Sequence, residues 1–298
     1  MTSQLDAALL RAMPLAEIRD RVDKETRGRL VVVGGSLRVP GAPLLAGVAG
    51  LRAGAGKVQL AIPKCLAASI GAAFPESGIL PLPETADGEI DCDRLDHCLP
   101  ELSRADAILI GPGVMNTECG ERLSAFLLER LDGPVLVIDA VALTSLTGKA
   151  ELVSSQRGRV VITPHAGEMA SLTGLDKERV TADPLSVAMQ VSEEFNCTTV
   201  LKGSKTTIVQ PRGVPYTHHL ENAGLATAGS GDVLAGIIAG LIARGNSPIL
   251  AALWGVHVHA QAGNRLAKLA RIGFLARELL EEIPRVLDEA ECATPSAD

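Results

Sequence analysis

LVVVGGSLRVPGAPLLAGVAGLRAGAGKVQLAI, residues 30–62, is the stretch whose reading decides the fold of this chain. Leu30 to Val33 is apolar without alternation, as in a strand buried on both faces. The turn Gly34-Gly35-Ser36 follows, and Ala42 to Ala53 then reads as a small-residue helix that Gly54 and Gly56 end. Lys57 to Ile62 is a second strand.

The same alternation continues along the chain. Ala107 to Ile110 (AILI), Val135 to Ile138 (VLVI), Val160 to Ile162, Thr199 to Leu201 and Thr206 to Val209 read as strands. Helices are expected around Cys119 to Leu131, Pro184 to Phe195 and Gly231 to Arg244. Ile249 to Ala270 and Ala276 to Ala290 make the C-terminal third largely helical. Continuous apolar strands between helices imply an α/β fold, a mostly parallel central sheet covered by helices on both faces. A leading helix is expected over Leu5 to Arg21, interrupted at Pro14. Pro81 to Asp93, rich in acid and turn residues, reads as an exposed excursion. No composition shift marks a linker, so residues 1–292 read as one domain and 293–298 as a disordered tail.

Of 298 residues, 47% are hydrophobic but only 2% aromatic, with 30 Gly, so helices must close on the sheet through small side chains. The net charge of −7 gives no long-range attraction for nucleic acid or an anionic membrane. Cys65, Cys92, Cys98, Cys119, Cys197 and Cys292 are scattered, with no CxxC pair. Reduced thiols in the cytoplasm fit this better than a disulfide framework or a zinc site. The N-terminus lacks the basic segment and apolar core of a signal peptide, and no apolar run is long enough to span a bilayer. A cytoplasmic location is expected. Small-residue helices expected to be exposed in the C-terminal third point to a homo-oligomer.

The chemistry is concentrated in Asn222 to Gly240, NAGLATAGSGDVLAGIIAG. Gly229, Ser230 and Gly231 form a side-chain-poor turn, Asp232 follows at once, and Val233 to Leu241 runs apolar. That order suits a loop feeding the N-terminus of a buried helix, whose first N–H groups have no partner within the helix and attract phosphate oxygens. An isolated Asp in such a place complements the helix dipole. Between those glycines and that apolar helix, Asp232 instead reads as a general base beside an anion hole built from Gly229, Ser230 and Gly231.

Open α/β sheets bind ligands where loops leave the C-terminal ends of their strands. Four such loops carry signals: Gly34-Gly35-Ser36 with Gly41-Ala42-Pro43; Gly111-Pro112-Gly113; Asp139; and Thr163-Pro164-His165-Ala166-Gly167-Glu168. Lys202-Gly203-Ser204-Lys205-Thr206, between two short β segments, offers two cations and two hydroxyls for nucleotide phosphates. GxxxxGK[ST] does not occur, and GxGxxG fails because Leu234 stands where its third glycine belongs. His257 and His259 point apart on a helix, and no HExxH exists, which argues against a protein-held catalytic metal.

VVVGGSLRVPGAPLLAG, IGPG, TPHAGE, LKGSKT, NAGLATAGSGDVLAGIIAGL and GFLARELLEEIP together resemble the ADP-dependent NAD(P)H-hydrate dehydratases of the ribokinase-like superfamily, from about Lys24 to Leu287. The resemblance implies a ribokinase-like fold and dehydration of the (S) epimer of hydrated NADH or NADPH, driven by a phosphoryl group of ADP. It implies that Ala42, Gly113, His165 and Asp232 contact the hydrate, and that Lys202 to Thr206 and Gly231 contact the nucleotide. Mg2+ is expected with the nucleotide phosphates, and a separate epimerase is expected to supply the other hydrate epimer.

Three positions depart from the family pattern. Val141 stands where Asp-Ala-Asp-Ala-Leu has its second acid, Asn222-Ala223-Gly224 replaces Asn-Pro-Gly, and Asn264 replaces a frequent Asp. Two rival readings remain. One is a hydroxymethyl kinase of the same superfamily acting on a vitamin precursor, since fold does not fix substrate. The other is a noncatalytic nucleotide-binding regulator, which Val141 favours and the retained Asp232 opposes.

Overall fold

The computed structural model describes residues 2–17, 27–219 and 222–292. Its strands are β1 (Ser3–Gln4), β2 (Arg29–Val33), β3 (Lys57–Pro63), β4 (Gly78–Leu82), β5 (Ala107–Ile110), β6 (Val135–Ile138), β7 (Val160–Ile162), β8 (Thr198–Leu201), β9 (Lys205–Val209) and β10 (Tyr216–His219). Its described helices of eight residues or more are α1 (Gly41–Arg52), α2 (Thr117–Arg130), α3 (Ala166–Thr173), α4 (Pro184–Phe195), α5 (Ser230–Ala243), α6 (Pro248–Ala267) and α7 (Ala276–Cys292).

All ten strands join one sheet in the order β1-β10-β9-β8-β7-β6-β5-β2-β3-β4. From β4 to β8 every neighbour is parallel; β9 is antiparallel to both β8 and β10, and β1 is parallel to β10. The strand order reverses between β2 and β5, so the loops after these two strands border the crevice where such sheets take ligands.

Side chains alternate across each strand and divide the core in two. Leu30, Val32, Leu60, Leu109 and Val137 face α1, α5, α6 and α7. Val31, Val33, Ile108, Ile110 and Ile138 face α2, α3 and α4. Both faces are therefore covered, which is why these strands show no polar alternation.

The scarcity of aromatics has its counterpart in the α1–α5 contact. A Cβ on Gly236 would lie 2.3 Å from the carbonyl oxygen of Ala46, and one on Gly240 would lie 2.4 Å from that of Gly50. Both helices climb together along this seam, so they are parallel and their N-termini open on the same rim.

Several expectations are corrected. The leading helix is only Ala7–Arg11, capped by Asp6, whose carboxylate accepts the Leu9 N–H at 2.8 Å. Pro14 disfavours helical backbone before it, and Ser3–Gln4 instead pairs with β10. The remainder of that expected helix, 18–21, and the tail at 293–298 lie outside the described residues. Pro81 to Asp93 is not simply an exposed excursion: it begins within β4, and Leu82, Ile90 and Cys92 are buried in the core. The C-terminal small-residue helices are not exposed either. Val233 to Ala243 of α5 and Ala251 to Ala260 of α6 are buried against each other, α1, α7 and the sheet.

Candidate functional site

Gly229 starts α5 with φ +87°, a left-handed conformation that glycine takes without steric cost, and no side chain caps this helix start. Of the expected anion-hole donors, the Ser230 N–H is taken by the Thr227 carbonyl at 3.2 Å, because the turn closes on itself there, which leaves the N–H groups of Gly231 and Asp232 at the helix start. Continued one turn toward the rim, the parallel register of Gly236 on Ala46 and Gly240 on Gly50 sets Asp232 of α5 opposite Ala42 of α1. Gly113 closes this wall, since a Cβ there would lie 3.3 Å from Ala42 Cβ and 3.1 Å from Gly35 Cα. The three residues thus meet at the crevice between β2 and β5.

Lys202 ends β8 and reaches back across the sheet. Its Nζ donates to Asp139 Oδ1 at 2.8 Å and lies 3.8 Å from Glu168 Oε2. The Asp139 carboxylate is almost fully buried and also accepts from Thr163 Oγ1 at 2.7 Å. Burial opposes the Lys202 charge, but Asp139, Glu168 and Asp232 together raise its pKa. A Cβ on Gly231 would lie 3.6 Å from this ammonium, which places it against the α5 start.

Asp232 responds to these neighbours. Burial, reinforced by the charges of Asp139 and Glu168 and moderated by Lys202, pushes its carboxyl pKa up to about 7. A carboxyl poised there exchanges a proton readily near neutral pH.

A cavity of about 830 Å³ opens beside this cluster. Lys202, Gly203, Ser204, Thr206 and Gly231 line it, with an apolar wall of Leu225, Leu234, Val256 and Ala260. An apolar wall next to the Lys202 ammonium, two hydroxyls and a helix start suits a nucleotide: base on the wall, phosphates at the turn. Lys205 is exposed and is not among the lining residues.

His165 stands on this cavity too, apart from Ala42 and Gly113. Lys202 N donates to Pro164 O at 2.7 Å, which extends the β7–β8 pairing and sets His165 beside Lys202. Its Nδ1 accepts the N–H groups of Gly167 and Glu168 at 3.0 and 3.1 Å, while Glu168 Oε2 accepts the His165 N–H at 2.8 Å. His165 is therefore the cap of α3; its ring lies on the cavity wall with Nε2 3.5 Å from Glu168 Oε1.

Two further histidines join the site, neither assigned to it from the sequence, where His259 is weighed only as a metal ligand. In α6, His259 Nε2 lies 2.9 Å from Ser230 Oγ and donates to the Ser230 carbonyl at 3.1 Å; burial lowers its pKa to about 4, so the ring is neutral. His218 of β10 lines the same cavity. No local pattern announces either, because β10 reads YTHH without an apolar run and α6 is buried all round. The family departures also find places. Val141 packs on Gly120 of α2, and the changed Asn264 accepts at Oδ1 from Nδ2 of the retained Asn222, next to the changed Ala223, at 3.2 Å.

A family model described as NAD(P)H-hydrate dehydratase matches residues 30–285. The chain is 45% identical to the ADP-dependent (S)-NAD(P)H-hydrate dehydratase of Xanthomonas campestris pv. campestris, over 95% of each. It spans about half the length of bifunctional NAD(P)H-hydrate repair enzymes that it also matches. A ribokinase-like superfamily protein from Enterococcus faecalis superposes with a TM-score of 0.82 at 25% identity, covering 97% of this chain and 96% of that one. An ADP/ATP-dependent NAD(P)H-hydrate dehydratase from Bacillus subtilis, crystallised with ATP and Mg2+, superposes at 0.80 and 28% identity, covering 97% and 99%. With matches running almost end to end in both sequence and backbone, this chain belongs to the NAD(P)H-hydrate dehydratase family, on a ribokinase-like fold.

Proposed function

We propose that this protein is an ADP-dependent (S)-NAD(P)H-hydrate dehydratase, returning hydrated NADH or NADPH to the reduced dinucleotide. The observation that carries the reading is Asp232: a carboxyl with a pKa of about 7 at an uncapped helix start, between the Ala42–Gly113 wall and the Lys202 cavity. Hydroxide is a poor leaving group and phosphate a good one. Asp232 takes the proton of the C6 hydroxyl as its oxygen attacks the terminal phosphorus of ADP, and AMP leaves. The N–H groups of Gly231 and Asp232, with Lys202, stabilise the charge on the transferring phosphoryl oxygens. The ring nitrogen's lone pair then expels phosphate from C6, and loss of the C5 proton restores the dihydropyridine.

In this reading Ala42 and Gly113 give the nicotinamide ring a close, flat seat, and Gly203, Ser204 and Thr206 hold the nucleotide. His165 meets the ligands from the α3 cap. Mg2+ brought by the nucleotide would supply charge neutralisation at the phosphates, and Asp139 and Glu168 are the carboxylates beside Lys202 that would help hold it, being hard oxygen ligands. A separate epimerase supplies the (S) epimer from the (R) epimer.

The test is recovery of reduced-nicotinamide absorbance from hydrated NADH in the presence of ADP. Recovery that requires ADP supports the reading. Failure there, with phosphorylation of a hydroxymethyl vitamin precursor instead, would make the chain a kinase.

A further inference from the structure

Far from the Lys202 cavity, on the other side of the crevice, a second cavity of about 530 Å³ brings together Cys92 and Cys119, separated by most of a strand–helix unit in the sequence. Each cysteine is 8% exposed and each lines the cavity, so both are sheltered yet reachable by a small solute. Cys119 Sγ and Cys92 Sγ lie 3.4 and 3.9 Å from the same carbonyl oxygen, that of Ile90, and Cys92 Sγ lies 3.6 Å from the Cys119 carbonyl oxygen, so the two sulfurs share one small space. Cys119 sits in the first turn of α2, its N–H taken by the capping Asn116 side chain at 3.1 Å. Arg122, a turn further along, pairs with Asp93 and also lines the cavity.

We propose that Cys92 and Cys119 are a reversible oxidation site, joined as a disulfide by small hydroperoxides. The Cys119 thiolate attacks one peroxide oxygen; the O–O bond breaks, and the departing oxygen takes a proton and leaves as water or an alcohol. The sulfenic acid formed on Cys119 is attacked by the Cys92 sulfur, which loses its proton as the S–O bond breaks and water leaves. Two thiols are oxidised and one peroxide is reduced.

The order of attack follows from the surroundings. The neighbouring Cys92 thiol, aided by Arg122, lowers the Cys119 thiol against its burial and the Glu89 charge, and a helix start favours a thiolate. The same neighbour, with burial, raises Cys92. The exposed Cys65 is raised by burial and by Glu84, and Cys292 by Asp288, so exposure alone does not make them the reactive thiols.

The site also borders the two loops that carry Ala42 and Gly113, since Arg38 and Met115 line its cavity. Asn116 lies three residues past Gly113. On the other side, Leu37 donates its N–H to the Gly88 carbonyl at 3.1 Å, linking the segment before Cys92 to the loop that precedes Ala42. A disulfide would draw these two loops together. This consequence rests on the proposed function; the oxidation itself does not.

The experiment treats the full chain with hydrogen peroxide, blocks remaining thiols, and maps cross-linked peptides by mass spectrometry. A Cys92–Cys119 cross-link, reversed by dithiothreitol, is expected, with Cys65 and Cys292 still blocked as free thiols. Cys92→Ser should leave a trappable sulfenic acid at Cys119, whereas Cys119→Ser should leave Cys92 unoxidised. The cross-linked enzyme should show a raised KM for the hydrate and an unchanged KM for ADP. Oxidation confined to Cys65 or Cys292, or no cross-link at all, overturns the site. A quantitative cross-link with both KM values unchanged overturns the coupling. Absence of dehydratase activity in the reduced enzyme sinks the functional reading but leaves the chemical test intact.

Discussion

Asp232 illustrates how one residue's surroundings decide its use. Asp232→Asn keeps the shape and removes the base, so turnover should fall about a hundredfold to ten-thousandfold in a folded protein, measured by the absorbance assay. With its carboxyl pKa raised to about 7, the competent base form grows as pH rises through that value. kcat/KM for the hydrate should therefore climb through about pH 7 and level above it. Stability runs the other way. The folded chain holds this proton more tightly than the unfolded one, so ionising Asp232 costs stability as pH rises through the folded pKa. Asp232→Asn should raise the melting temperature near pH 8 and change it little near pH 4. Equal shifts at both pH values would mean that burial does not act on this carboxyl. Lys202 has two tasks. Lys202→Met should raise the ADP KM far more than the hydrate KM, and should also destabilise by up to about 3 kcal/mol, because Asp139 is left buried and unpaired. Lys202→Met combined with Asp139→Asn should recover most of the melting temperature and none of the ADP affinity.

At the scale of elements, His165 and the α1–α5 seam make separable predictions. Because His165 caps α3 through Nδ1, His165→Ala should cost about 1 kcal/mol of stability in chemical denaturation. Asn caps well, so His165→Asn should keep that stability, and any loss of kcat/KM it shows reports contact with ligand rather than the cap. In the seam, Gly240 approaches the Gly50 carbonyl so closely that no side chain fits. Gly240→Val should destabilise by about 1–3 kcal/mol or more, since it wedges apart two buried helices. Such a wedge also separates Asp232 from Ala42 one helical turn at a time, so activity should fall further than stability alone accounts for.

The molecule as a whole was partly legible before any coordinates. Apolar runs such as AILI and VLVI marked the strands that emerged as β5 and β6, because a strand buried on both faces admits no polar alternation. The glycine turn before Asp232 marked a helix start for the same local reason: its backbone, and not a distant partner, sets its conformation. β1, β4 and β10 were missed at the sheet's ends, where strands are short or carry polar residues and only pairing makes them strands. The sequence by itself determined the parallel sheet, the helix behind Asp232, and the Gly- and Lys-bearing loops, all properties of contiguous residues. Only the tertiary structure decided that Lys202 pairs with Asp139 across the sheet, that His259 braces Ser230 from α6, that His165 faces the nucleotide cavity, and that Cys92 meets Cys119. Each of these joins residues far apart in the chain, and their energies come from burial and charge at a place that exists only once the helices have packed.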